Sequence, residues 1–192
     1  MKNLALAFAA FVLASSASAT TVNFDSMASA VLVSNGTAGI DNWTNLYSYD
    51  ATGNVGNYAD GVVSGKNVAY NGYSNSAGLS DAEGFTFNSA YFTAVHVPLV
   101  DLQLRAYDSK GILKYSFNTT LDHKARNIDL DWTGISSMTM AGFRAGTNST
   151  TWFAMDNLVV NEAVNAVPEP GSIALLGLGI AGLMAGRRRK VA

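Results

Sequence analysis

The sequence predicts an all-β fold, an antiparallel two-sheet β-sandwich of jelly-roll type. Three observations point to it. No stretch of the central chain keeps a 3.6-residue apolar period over three turns, whereas alternating and β-branched runs recur. Turns containing Gly, Asn or Asp separate those runs at short intervals. The only long uninterrupted apolar segments stand at the two chain ends, outside the sandwich.

The first segment begins Met1-Lys2-Asn3 and continues as an apolar run from Leu4 to Leu13, followed by Ala17-Ser18-Ala19. One positive charge, a short apolar run and a small-x-small site make a secretory signal peptide over 1–19, cleaved after Ala19. The run is too short for a permanent helical anchor, which needs roughly 20 apolar residues.

The sandwich domain is expected over 20–160. Thr21–Phe24 opens it as a strand. Residues 34–80 are less regular, because Asn35-Gly36, Gly53-Asn54 and Asn71-Gly72 break them into loops and short strands. Gly84–Phe87 and Ala90–Val97 read as strands. Leu99–Tyr107 and Ile112–Thr119 form a hairpin across Asp108-Ser-Lys-Gly111, with Gly supplying the positive φ. In Asn127–Trp132, Ile128, Leu130 and Trp132 face one way while Asp129 and Asp131 face the other. Ser136–Phe143 and Thr151–Val160 complete a set of roughly eight to ten strands, which must bury one face against a second sheet. Residues 161–166 form a tether.

The C-terminal segment has three parts. Val167-Pro168-Glu169-Pro170 holds the backbone extended. Gly171–Gly186 is free of charge and spans about 24 Å as a helix, at 1.5 Å per residue; it is expected to cross the membrane with help from local thinning and snorkelling. Arg187, Arg188, Arg189 and Lys190 follow at once and belong on the cytoplasmic side. A cleaved signal peptide sends the domain outward, so both ends agree on one topology. This layout over 167–190 resembles the PEP-CTERM sorting signal of Gram-negative bacteria. The resemblance implies recognition by an exosortase, transient residence in the inner membrane, and delivery to the cell surface or an exopolysaccharide matrix. A plain single-pass anchor without processing is the alternative. Phe24-Asp25 and the closing Trp152–Val160 segment also resemble the bodies common among exosortase cargo, which implies a carbohydrate-binding type of jelly roll.

Composition narrows the chemistry. The chain of 192 residues has no cysteine, which excludes a disulfide scaffold, a Cys-based zinc site and a thiol nucleophile. Its formal charge of -2 divides unequally: with the two end segments set aside, seven Lys/Arg stand against thirteen Asp/Glu. An acidic domain disfavours nucleic acid as a partner. His96 and His123 lie in no metal-ligand spacing, and G-x-S-x-G, P-loop and dinucleotide motifs are missing. A non-catalytic protein is therefore expected. The alternative, a secreted polysaccharide hydrolase, would rest on Asp129 and Asp131, roughly 7 Å apart along one strand face. No cofactor is required. Calcium is a candidate at Asp25 and Asp156, because the resemblance places a structural calcium near the joined first and last strands. Trp43, Tyr47, Tyr49, Tyr58, Tyr70 and Tyr73 crowd a loop-rich stretch with Asn, Asp and Gly. They are the candidate glycan-binding residues, since aromatic faces with polar tips suit sugar rings.

Overall fold

The computed structural model describes residues 19–164. Most of the expected signal peptide and the expected membrane span at 171–186 lie outside those residues. Among the described residues no helix is long and apolar enough to cross a membrane.

Ten strands are described: β1 (Thr20–Val22), β2 (Asn42–Thr44), β3 (Leu46–Asp50), β4 (Asn67–Asn71), β5 (Ala77–Ala94), β6 (Val100–Tyr107), β7 (Leu113–Leu121), β8 (Arg126–Arg144), β9 (Thr150–Thr151) and β10 (Phe153–Val160). All pairings between them are antiparallel. The ladder is continuous, but it folds over into two sheets because β5 and β8 serve both. One sheet runs β3-β4-β10, then the C-terminal half of β5 and the N-terminal half of β8. The other runs β2, the N-terminal half of β5, the C-terminal half of β8, β6 and β7. β1 extends the first sheet beside the end of β10.

The long strands are where the structure departs from the sequence reading. Gly84–Phe87 and Ala90–Val97 are not separate strands but parts of β5, and Asn127–Trp132 joins Ser136–Phe143 within β8. The β5–β8 register shifts between Ser80 and Phe85, again before Phe87, and again before Ser89. Gly84, Asp131 and Gly134 take positive φ in this zone. These are bulges: they bend a strand from one sheet into the next, and in sequence they look like turns.

One core fills the space between the sheets. Leu46, Ala69, Met155, Phe92, Ala90 and Ile128 come from the first sheet; Trp43, Leu79, Met138, Met140, Leu102 and Leu104 come from the second. Period-two alternation explains both sets, since each strand sends every other residue inward. Phe24 leaves the first strand at φ 61 yet is buried in this core.

A smaller cluster lies on the opposite, outer face of the first sheet. Residues 51–66, with two short 3-10 turns, cross that face and cover Val68, Val95 and Ala154 with Ala51 and Tyr58. This loop covers only part of the face. What remains open is aromatic.

Candidate functional site

Five of the six aromatic residues singled out from sequence share that outer face. Tyr47 of β3 stands opposite Tyr70 of β4 in the ladder, with ring centroids 5.8 Å apart. Tyr49 packs on Tyr58 at 4.6 Å and on Tyr70 at 6.0 Å. Tyr58 touches Tyr70 and His96 edge-on. Burial pushes the Tyr58 phenol well up, with its Tyr70 and Tyr49 neighbours adding to it. Tyr70 moves the same way, chiefly through burial. Both phenols are therefore neutral donors at ordinary pH.

The sixth, Trp43, is a correction. It lies in β2 opposite Leu79, on the inner face, and is 3% exposed. Its ring meets Phe24 edge-on at 6.5 Å, and its indole N–H donates to the Thr37 carbonyl at 3.2 Å. Sequence proximity had grouped it with the tyrosines. Strand parity puts it in the core, where no ligand reaches it.

Trp152 takes its place. It lies two residues before Ala154, which pairs with Tyr70, so its side chain belongs to the same outer face. Its ring packs against His96 at 5.2 Å. Ala30, Tyr47, Tyr70, Gly72, Tyr73 and Trp152 line a depression of about 330 Å³. The alternation Trp152-x-Ala154-x-Asp156 was the available signal for Trp152. It lies 79 residues beyond Tyr73 in sequence, and only the sheet order brings the two together.

Two asparagines hold the walls. Asn45 donates from Nδ2 to the carbonyls of Gly72, Ser76 and Asn75 at 2.9, 3.1 and 3.3 Å, and its own carbonyl accepts from Gly72 N–H. Asn71 donates to the carbonyls of Asn75 and Thr151 and accepts from Phe153 N–H. The turn at 72–74 is thereby fixed, with Tyr73 at φ 54 and 77% exposed. A Cβ on Gly72 would lie 2.4 Å from the Tyr47 ring, so only glycine lets the turn sit this close. Tyr73 and Tyr47 meet perpendicularly at 6.3 Å. One ring presents a face and the other an edge, a right-angled corner suited to a flat, partly apolar ring with polar substituents.

Asp25 and Asp156 converge on one loop, 62–67, rather than on each other alone. Asp156 is fully buried; its Oδ2 accepts from Val63 and Ser64 N–H at 2.8 and 3.0 Å, and its Oδ1 from Asn157 N–H. Asp25 Oδ1 accepts from Lys66 and Asn67 N–H at 2.7 and 3.0 Å. Gly65, at φ 56, sits hard against the Asp25 carboxylate. Burial raises the Asp156 carboxyl above the usual carboxylate range, its three N–H donors pull the other way, and the Asp25 charge adds to the rise. Both side chains act as anionic caps on backbone amides. Among the described residues no group of three His, Cys, Asp or Glu is arranged to hold a metal ion. The buried Asn67 Oδ1 is left without a partner, and it is the atom here best placed in chemistry to accept a cation or a water.

His123 Nε2 donates to the Val97 carbonyl at 2.8 Å, a structural contact. Asp131 lies on the β8 bulge and accepts from Asn88 Nδ2 at 2.9 Å, while Asp129 pairs with Ser89 in the ladder. Neither lines the aromatic depression. The expected sorting residues Val167, Pro168, Glu169, Pro170 and Arg187–Arg189 lie outside the described residues, as does Ala17; Ala19 is exposed just ahead of β1.

Residues 166–190 match the PEP-CTERM protein-sorting motif. The chain therefore carries that sorting signal, at the segment its proline pair and arginine cluster marked. No curated protein matches the chain. Among solved structures it is similar to a DUF4465 family protein from Bacteroides caccae, at 11% identity and TM-score 0.48, over 62% of this chain and 74% of that one. It is also similar to the CBM22-1–CBM22-2 tandem domain of Paenibacillus barcinonensis Xyn10C, at 15% identity and TM-score 0.47. That match covers 82% of this chain but 49% of the other, so the chain spans about half of the tandem. TmCBM61, solved in complex with β-1,4-galactotriose, is similar at 15% identity and TM-score 0.39, over 67% of this chain and 94% of that one.

Proposed function

We propose that this is a non-catalytic exported surface protein, processed by an exosortase at its C-terminal signal, whose sandwich binds glycan in the Tyr47–Tyr70–Tyr73–Trp152 depression. The sorting signal supports the route: a signal peptide would send the domain outward, the short apolar segment 171–186 would hold it in the inner membrane, and the arginine cluster would mark the cytoplasmic end. The destination is the cell surface or its exopolysaccharide.

The observation that carries the binding half is the corner between Tyr47 and Tyr73, braced by two asparagines and closed by Trp152. A preformed apolar concavity with polar tips is what a small-ligand site requires. Rigid aromatics lose little entropy on binding. Calcium, where it binds, would use Asp25 and Asp156, whose carboxylates both reach the 62–67 loop.

The sorting half is tested by replacing Pro168, Glu169 and Pro170 with alanine in the native host. The expected result is unprocessed protein held in the membrane fraction. Unchanged size and fractionation would remove the processing step. A glycan array on the full chain in detergent, with and without calcium, tests the ligand class.

A further inference from the structure

The outer face of the second sheet carries a different surface. Asp101 and Gln103 of β6 stand between two adjoining depressions of about 330 Å³ each. On one side Phe143 of β8, opposite Asp101 in register, lines the floor with Thr147 and Asn148. On the other side Asn118 of β7, opposite Gln103, stands beside Thr120.

The hydrogen bonding here has a clear division. Asp101 is used internally: it accepts from the Thr120 hydroxyl at 2.7 Å and from Gly146 N–H at 2.9 Å, which pins the 145–149 loop against the strand. Gln103 Oε1 accepts from Arg105, leaving its NH2 unused. The exposed side-chain amides of Asn118 and Asn148 bond to no other described residue. The amides of Gln103 and Asn148 thus line the depression that holds the Phe143 ring, and the Asn118 amide lines the adjoining one, on a surface fixed by a carboxylate.

We propose that this face is a second binding site, for a neutral polysaccharide chain, and that the domain bridges two such chains. Amides both donate and accept, as vicinal hydroxyls require. Phe143 supplies apolar contact. Arg105 beside Gln103 and Arg126 on Thr119 offset the Asp101 charge locally, but the domain as a whole, with thirteen Asp/Glu against seven Lys/Arg, disfavours a uronic-acid polymer and leaves a neutral one unaffected. The site lies on the outer face of the second sheet and the tyrosine corner on the outer face of the first, with the core between them. A rigid body with two outward binding faces cross-links polymer. The bridging part rests on the glycan reading above; the second site does not.

The test uses the full chain in detergent, with soluble galactan, xylan and β-glucan as neutral probes and alginate as the acidic control. Two variants are compared, Gln103→Ala/Asn118→Ala and Tyr73→Ala/Trp152→Ala, by retardation in polysaccharide gels and by turbidity of the polymer. The expected result is that each variant still binds a neutral polymer, that loss of either site lowers the number of polymer chains held per protein from two to one, and that turbidity appears only with wild type. Alginate is not bound. If the Tyr73/Trp152 variant loses all binding, or the Gln103/Asn118 variant matches wild type, the second site is overturned and the tyrosine site stands. If only the Gln103/Asn118 variant loses binding, the second site stands and the tyrosine site falls. Failure of wild type to bind any neutral polymer overturns both.

Discussion

Asn71 brackets Trp152. Its side-chain amide donates to the Thr151 carbonyl at 3.0 Å and accepts from Phe153 N–H at 2.8 Å, so the residues on both sides of the tryptophan are tied to one buried group. The same amide reaches the Asn75 carbonyl at the base of the Tyr73 turn. One fully buried asparagine therefore sets the position of both aromatic walls. Asn71→Ala would take away the acceptor of Phe153 N–H and the Asn71 donor to the Thr151 carbonyl, while the Asn75 carbonyl keeps the Asn45 amide. The expected cost is about 2 kcal/mol or more, read as a lower urea midpoint. Glycan binding should weaken beyond what the lost fraction folded explains.

Trp43 and Tyr73 should behave as opposites. Trp43→Ala opens a cavity in the core and is expected to cost about 3–5 kcal/mol of stability. Tyr73→Ala removes an exposed ring and should stay within about 0.5 kcal/mol of wild type. Paired denaturation and binding curves check this: stability falls only in the first, and intrinsic affinity falls only in the second.

That contrast shows what the sequence could convey. Alternation marked the sheet-forming runs and the hairpin from Leu99 to Thr119, because a half-buried strand must alternate. It also set Trp43 inward and Tyr47 outward, yet both stood in a stretch too irregular for parity to be read. The bend of β5 and β8 was hidden for another reason. Gly84 and Gly134 mark a bulge and a turn with the same residue, and only the partner strand distinguishes them. Trp152 and Asn71 meet across 81 residues of chain, a relation that only the sheet order creates.

Gly72 admits no side chain. A Cβ there would stand 2.4 Å from the Tyr47 ring and 2.7 Å from Asn45 Oδ1. Gly72→Ala should cost about 1–3 kcal/mol through overpacking and push the Tyr47 ring out of its corner with Tyr73. Near-UV circular dichroism of the tyrosine cluster, compared before and after substitution, reads that displacement directly.

Acid should act on Asp101 and Asp156 with opposite sign. The Thr120 hydroxyl, then Gly146 N–H, hold the Asp101 carboxyl below the usual range. Its contribution is full above about pH 4 and is lost as pH falls through the lowered value. Burial, ahead of all other causes, raises Asp156. Its contribution is largest when it is protonated and shrinks as pH rises from about 4 through the raised value. Thermal midpoints taken from about pH 3 to about pH 6 should therefore lose acid sensitivity in Asp101→Asn. In Asp156→Asn the curve should become steeper on the acid side, because the opposing group is gone.

The most direct measurement is titration of the full chain with a soluble neutral polysaccharide, comparing wild type with Trp152→Ala and Trp43→Phe. Wild type and Trp43→Phe are expected to bind alike, and Trp152→Ala about tenfold or more weakly, as for a central aromatic anchor. Equal binding by Trp152→Ala and wild type, with the protein folded, would contradict a glycan site at the tyrosine corner.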